Sequence, residues 1–311
     1  MRKAFVKILT QEAKKNQNIF LLTADLGFML FEGFAKKFPD RFINIGVAEA
    51  NMISAASGLA LSGKTVITYS IANFTTIRVL EQIRNDLCYQ NADVKVVGVG
   101  AGFAYDHDGF THYNLEDIAV MRALPNITIL SPADPIEAEL ATKAMLYQKG
   151  PVYLRLGKTG EPRIYKKEPN FSVGKGIVIQ EGKDATILAS GNIIHNAIKA
   201  SLLLKKRGVE IEIISLHTIK PLDRGLIIRA AKKTGCVFTI EEHSIIGGLG
   251  SAVAEVISES RIKGLKFKRL GIPDKRQRII GSQQYLRQKH FLSPQKITQQ
   301  VLSVLAARPS S

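Results

Sequence analysis

Apolar residues recur at helical spacing over residues 2–15, at Ala4, Phe5, Ile8, Leu9 and Ala13. The pattern then switches to a short unbroken run at 18–23 that is closed by Asp25 and Gly27. The first pattern predicts a helix with one buried face, the second a buried strand. The alternation continues, with strands expected at 41–45, 65–68, 94–98, 128–130 and 152–156. Helical stretches separate them at 49–61, about 75–89, 115–123 and 135–148. Strands alternating with helices predict a parallel sheet covered on both faces. From Gly157 to Gly176 the chain carries Gly, Pro and Lys without periodicity, as a linker does. A second alternating block follows, with strands at 185–189, 210–215, 236–241 and 265–270, and a turn near Lys220-Pro221-Leu222-Asp223. Its helices are expected at 194–207, 224–233 and 251–260, and a last one near 293–307. The fold expected is α/β: two doubly wound domains with mainly parallel sheets, over 1–157 and 181–311, joined by a linker at 158–180.

The length of 311 residues agrees with two domains. With 43 Lys+Arg against 27 Asp+Glu, the formal net charge is +16, which would suit nucleic acid, an acidic partner or anionic substrates. The basic residues are scattered, without zinc-finger spacing or an aromatic-rich RNA-binding strand, so nucleic acid is not expected as partner. No apolar run approaches the ~20 residues that a membrane span needs. Lysines interrupt the first fifteen residues before a signal-peptide core can form, so a cytoplasmic protein is expected. Cys88 and Cys236 stand far apart and imply neither a disulfide framework nor a zinc site.

In sheets of this kind ligands sit beyond the carboxyl ends of the strands. Chemistry is therefore expected in the loops 24–34, 46–50, 70–75, 100–113 and 241–250. Glu49 opens the helix after Gly46-Val47-Ala48. A carboxylate there complements the helix dipole, and that alone accounts for it. The following residues, NMISAASGLALSG, are unusually small and let a flat ligand or another backbone come close. A carboxylate desolvated at such a contact can hold a proton for general acid–base work. Asp106, His107, Asp108 and His112 lie within seven residues, but their irregular spacing favours a substrate-facing loop over a metal site. There is no P-loop and no dinucleotide fingerprint.

Taken together, these stretches resemble the C-terminal part of transketolase, which holds the pyrimidine-binding and C-terminal domains. The matching residues are Thr23-Ala24-Asp25-Leu26, the stretch from Phe42 to Met52, and Asp108-Gly109-Phe110-Thr111-His112. Further on come Arg122-Ala123-Leu124-Pro125-Asn126, Ser131-Pro132-Ala133-Asp134, the stretch from Leu216 to Asp223, Glu241-Glu242-His243 and Gly247-Gly248-Leu249-Gly250. The resemblance covers nearly the whole chain. It implies that Glu49 hydrogen-bonds the aminopyrimidine of thiamine diphosphate and, with His112, serves catalysis. It also implies that Phe74 stacks on that ring, with Asp25, Ile71 and Ile77 around the cofactor. Asp108, His112, Arg155 and the position of Gly100 would meet the substrate, Arg155 by gripping its phosphate.

The same resemblance implies a split enzyme. The Gly-Asp-Gly motif that binds diphosphate through Mg²⁺ or Ca²⁺ does not occur in this chain. A separate N-terminal subunit carrying it is expected, in an α2β2 assembly that transfers a two-carbon ketol unit between a ketose or ketose phosphate and an aldose. Departures fall on sugar recognition. Gly100 stands where transketolases have a histidine, Ile71 and Ile77 at two aromatic positions, and Met29 at a phosphate-contacting serine. A β subunit of a 2-oxo-acid dehydrogenase, a deoxyxylulose-phosphate-synthase-like carboligase and a non-catalytic paralogue are the alternatives.

Overall fold

A computed structural model describes residues 1–158 and 160–306. The first half runs α1 (Arg2–Lys15), β1 (Ile19–Thr23), α2 (Glu32–Lys37), β2 (Phe42–Asn44), α3 (Glu49–Leu61) and β3 (Thr65–Ile71). It continues through α4 (Leu80–Gln82), β4 (Val94–Val99), α5 (Asp117–Ala123), β5 (Thr128–Leu130), α6 (Pro135–Tyr147) and β6 (Val152–Leu156). The second half holds β7 (Ile177–Gln180), β8 (Ala185–Ala189), α7 (Ile194–Lys205), β9 (Ile211–Ser215), β10 (Thr218–Lys220) and α8 (Arg224–Thr234). β11 (Cys236–Ser244), α9 (Leu249–Glu259), β12 (Lys266–Ile272), α10 (Gln283–Lys289) and α11 (Pro294–Ala306) complete it.

Two mainly parallel sheets result, as expected. The first has the order β10-β5-β6-β4-β3-β1-β2, the second β12-β11-β8-β9-β7. Every residue of β3 and β4 is buried, which their β-branched runs TVITYSI and VKVVGV allow. Lys95, the second residue of β4, has its ammonium 2.7 Å from Asp93 and 2.7 Å from the Gly150 carbonyl, so the buried charge is fully engaged. α6 starts cleanly, because the Asp134 side chain accepts the Glu137 N–H and Pro135 takes the first helical position.

Three local differences from the sequence expectation matter. The helix expected at 75–89 is a 3₁₀ turn, the short α4 and a π-helical stretch, Ile83–Tyr89. Side chains outside that wide turn satisfy its carbonyls, Ser57 at Asp86 and Asn126 at Cys88. The stretch expected as linker contains β7, which pairs antiparallel with β9. The turn expected near Lys220 is preceded by β10, which leaves its own half and pairs antiparallel with β5. The two halves share one apolar cluster. Met52, Ile118 and Ile129 pack in it with Leu216, Ile227 and Val253.

Candidate active site

Because β1 to β4 are parallel, their carboxyl ends open on one edge of the first sheet. Four loops meet there. After β2, Asn44 ties the turn together: its side-chain oxygen accepts the N–H of Asp25 (3.0 Å) and of Gly46 (3.0 Å), and its amide donates to Asp25 Oδ1 (3.1 Å). Gly46 has φ +77°, the left-handed region that a side chain disfavours. The chain then enters α3 with Glu49 as its first residue, only 3% exposed.

The Glu49 carboxylate is held from two sides. Ser70 Oγ, on β3, donates to Oε1 at 3.3 Å, and Arg78 Nη1 donates to Oε2 at 2.9 Å. The planar guanidinium of Arg78 also lies over the Phe74 ring, 3.9 Å from its centroid. Phe74 meets His112 edge-on at 5.1 Å, and Asn73 Nδ2 donates to the Thr111 carbonyl at 2.8 Å. Asn73, Phe74, Ile77, Arg78, Phe110, Thr111 and His112 line an open cleft of about 460 Å³. A flat face, a buried carboxylate and a half-buried imidazole thus converge where a planar ring with N–H donors fits.

The remaining expected site residues divide. Ile77, 40% exposed, lines the cleft, whereas Ile71, the last residue of β3, is buried and not part of the cleft lining. Asp25 belongs to a neighbouring crevice with Phe28, Phe31 and Asn44, and reaches Glu49 only through the Asn44-braced turn. Met29 is almost fully exposed and has φ +58°. Gly100 has φ +99°, and a Cβ there would lie 2.0 Å from the ring of Tyr105, which occupies that space. Tyr105 in turn stands 5.8 Å from the His112 ring, with the Lys158 ammonium 4.4 Å from its centroid. Asp108 is exposed on the 3₁₀ turn Asp106–Asp108.

Arg155 is placed elsewhere. It is 4% exposed, its Nε donates to Asp117 Oδ2 at 2.7 Å, and Nη2 donates to the carbonyls of Asn114 (2.8 Å) and Glu242 (3.2 Å). Asp117 also accepts the Tyr153 hydroxyl at 2.6 Å. Burial pushes the Asp117 pKa up, but the charges of Arg155 and His243 outweigh it and hold the carboxyl below its usual range. With its guanidinium committed to these partners, Arg155 seals the seam between the halves instead of facing the cleft. Sequence reading missed Arg78, Ser70 and Asn73. The signal for Arg78 was its position four residues after Phe74, one helical turn on, where it reads as a solvated charge. Among the described residues no group of three or more His, Cys, Asp or Glu is arranged to hold a metal ion, and no helix is long and apolar enough to cross a membrane.

A two-domain α/β chain with a buried carboxylate and an aromatic face beyond the strand ends of a parallel sheet has the layout of an α/β enzyme. Residues 1–161 match the family model for the transketolase pyrimidine binding domain, and residues 174–297 that for the transketolase C-terminal domain; the chain belongs to the transketolase family. It is 37% identical over 298 residues to the 6-deoxy-6-sulfo-D-fructose transketolase subunit SqwH of Clostridium sp. (strain MSTE9), covering 96% of this chain and 92% of that one. It is 37% identical over 275 residues to an apulose-4-phosphate transketolase subunit of Phocaeicola vulgatus, covering 88% and 87%. A solved structure described as a split gene transketolase, inactive beta4 tetramer, superposes with a TM-score of 0.90 at 37% identity, over 98% of this chain and 97% of that one.

Proposed function

We propose that the chain is the C-terminal, or β, subunit of a split transketolase-like enzyme, which transfers a two-carbon ketol unit from a ketose or ketose phosphate to an aldose. The buried Glu49 carboxylate beside the Phe74 face carries this reading. Two relatives of similar length named as transketolase subunits support it. In this reading Glu49, Phe74 and Ile77 hold the aminopyrimidine end of thiamine diphosphate, and Asp25 braces the turn that presents Glu49. When bound, that cofactor supplies the electron sink that carbon–carbon cleavage requires. Glu49 accepts a hydrogen bond from a ring nitrogen and keeps its proton in place, with α3 and Ser70 excluding water from the carboxylate. His112 moves a proton at the substrate's oxygen, and Asp108 meets a hydroxyl at the mouth of the cleft.

The diphosphate and its Mg²⁺ or Ca²⁺ fall to a separate subunit carrying Gly-Asp-Gly, in an α2β2 assembly, and the site is completed only with it. Mixing this chain with such a subunit, thiamine diphosphate and Mg²⁺ is expected to give ketol transfer that neither chain gives alone. Glu49→Gln is expected to lower turnover by ~10²-fold or more, with assembly intact. Robust ketol transfer by this chain alone, or an unaffected Glu49→Gln complex, would overturn the proposal.

A further inference from the structure

The loop between β4 and α5 carries Asp108 and His112 at its tip, yet its base is gripped by the other domain. Phe103, fully buried, packs among Ile240, Leu286 and Leu292 of the second half; its ring stacks on His290 at 5.2 Å and meets Tyr113 edge-on at 5.0 Å. Its backbone N–H donates to Glu242 Oε1 at 2.8 Å. Gly102, with φ +63°, passes so close that a Cβ would lie 2.6 Å from Glu242 Cγ. The Tyr113 hydroxyl lies 2.8 Å from the Asp106 carbonyl oxygen and 3.1 Å from that of Ile279, which share its one proton. Within the loop itself, the backbones of its two stems pair at the Gly102–Asn114 bridge, through two hydrogen bonds of 3.1 and 3.0 Å.

Glu242 is in turn fixed by α10. Arg287 Nε donates to Glu242 Oε2 at 2.7 Å, its Nη2 reaches the same oxygen, and Gln283 Nε2 donates to Oε1 at 2.9 Å. Arg287 Nη2 is itself anchored on Asn192 Oδ1 at 2.7 Å. The carboxylate is 3% exposed and the arginine side chain 9%, so water does not compete for these bonds. One Glu242 oxygen is therefore held by α10 while the other receives both α10 and the loop. A buried carboxylate with its acceptor positions filled this way has one geometry available, and the Phe103 N–H inherits it.

We propose that Glu242, locked by Arg287 and Gln283, is a positioning residue: through the Phe103 N–H the C-terminal domain sets where Asp108 and His112 stand over the cleft. What the positioned loop then does rests on the function proposed above; the clamp itself does not. Displacing the loop would misplace groups that meet the substrate and leave Glu49 and Phe74 untouched, so substrate recognition and cofactor binding separate.

Hydrogen exchange in the full-length chain tests the clamp, comparing Glu242→Gln, Arg287→Lys and Gln283→Ala with wild type. The last two keep the charge balance, and Gln283→Ala removes a single hydrogen bond to Glu242. Amides 103–112 are expected to exchange at least ~10-fold faster in Glu242→Gln and Arg287→Lys, and severalfold faster in Gln283→Ala, with β3 and β8 unchanged. In the complex with the partner subunit, KM for the ketose donor is expected to rise ~10-fold in Arg287→Lys, with thiamine diphosphate binding, followed by calorimetry, unaltered. Unchanged loop exchange in all three variants overturns the proposal. So does faster exchange spread evenly over the C-terminal domain, as a purely structural role would give. The exchange is read without substrate, so failure of ketol transfer leaves the clamp to be judged on its own.

Discussion

Replacing Arg155 by Met removes the cation from a pair that has almost no access to water. Asp117 would keep the Tyr153 hydroxyl but lose the Nε–H at 2.7 Å, and the carbonyls of Asn114 and Glu242 would lose the bonds they accept from Nη2. Breaking one side of a buried ion pair costs about 3–5 kcal/mol, because the stranded charge remains desolvated. The expected loss is on the order of 10 °C in Tm for a chain of this size. Asp117→Asn alone strands Arg155 and is expected to cost a similar amount. The double variant Arg155→Met/Asp117→Asn has no stranded charge, and its loss is expected to be well below the sum of the singles. The difference also depends on pH. Asp117 is held below the usual carboxylate range, so its contribution is present above the ordinary aspartate pKa and disappears as pH falls through the native value. The gap between wild type and Arg155→Met should therefore close below about pH 4. Urea unfolding of the four proteins at pH 7 and at about pH 3 measures this. If Arg155→Met unfolds within 1 kcal/mol of wild type while KM for a phosphorylated ketose rises sharply, as a substrate contact would give, the seam assignment fails and the phosphate-gripping role stands instead.

Two further predictions follow from buried groups. Burial pushes the Glu137 carboxyl up to about 7, despite the Tyr165 hydroxyl and Ala133 N–H that it accepts, so the native state holds a proton that the unfolded chain releases. That contribution is lost as pH rises, and from about pH 4.5 to 7 Glu137→Gln should gain on wild type by roughly 1 kcal/mol per pH unit, read by thermal or urea unfolding. A gap that does not vary over this window would show that Glu137 is ionised in the folded chain. Gly100→Ala, with its φ of +99° and no room beside Tyr105, should lose about 1–3 kcal/mol and shift the Tyr105 ring. Wild-type stability in that variant would show that the ring moves aside freely.

The alternation of patterns made the two sheets legible, because β3, β4, β8 and β9 are short, mostly apolar runs rich in β-branched residues and buried along their whole length. Elements with too few apolar positions were not legible. α2 has six residues, β10 three, and in α10 (QQYLRQK) Leu286 is the one apolar residue fully buried. At the site, Glu49 and Phe74 were found through the small-residue helix and the family resemblance. Arg78 was not, since pairing with Glu49 depends on a fold-back across 29 positions. Arg155 illustrates the reverse. A strand-end arginine looks free until Asp117, 38 residues away, is brought beneath it.

The pairing of β10 with β5 has a consequence for how the protein is made. Translation delivers β1 to β6 long before residues 218–220, so the nascent first sheet ends at β5 with unpaired backbone groups along its rim. The later segment closes that rim, and Ser131 N–H meets the His217 carbonyl at 2.7 Å in the same seam. A truncated gene product stopping near residue 160 would therefore carry an open, adhesive border, and the natural place to cut this polypeptide into independent pieces is not the stretch between its two sheets.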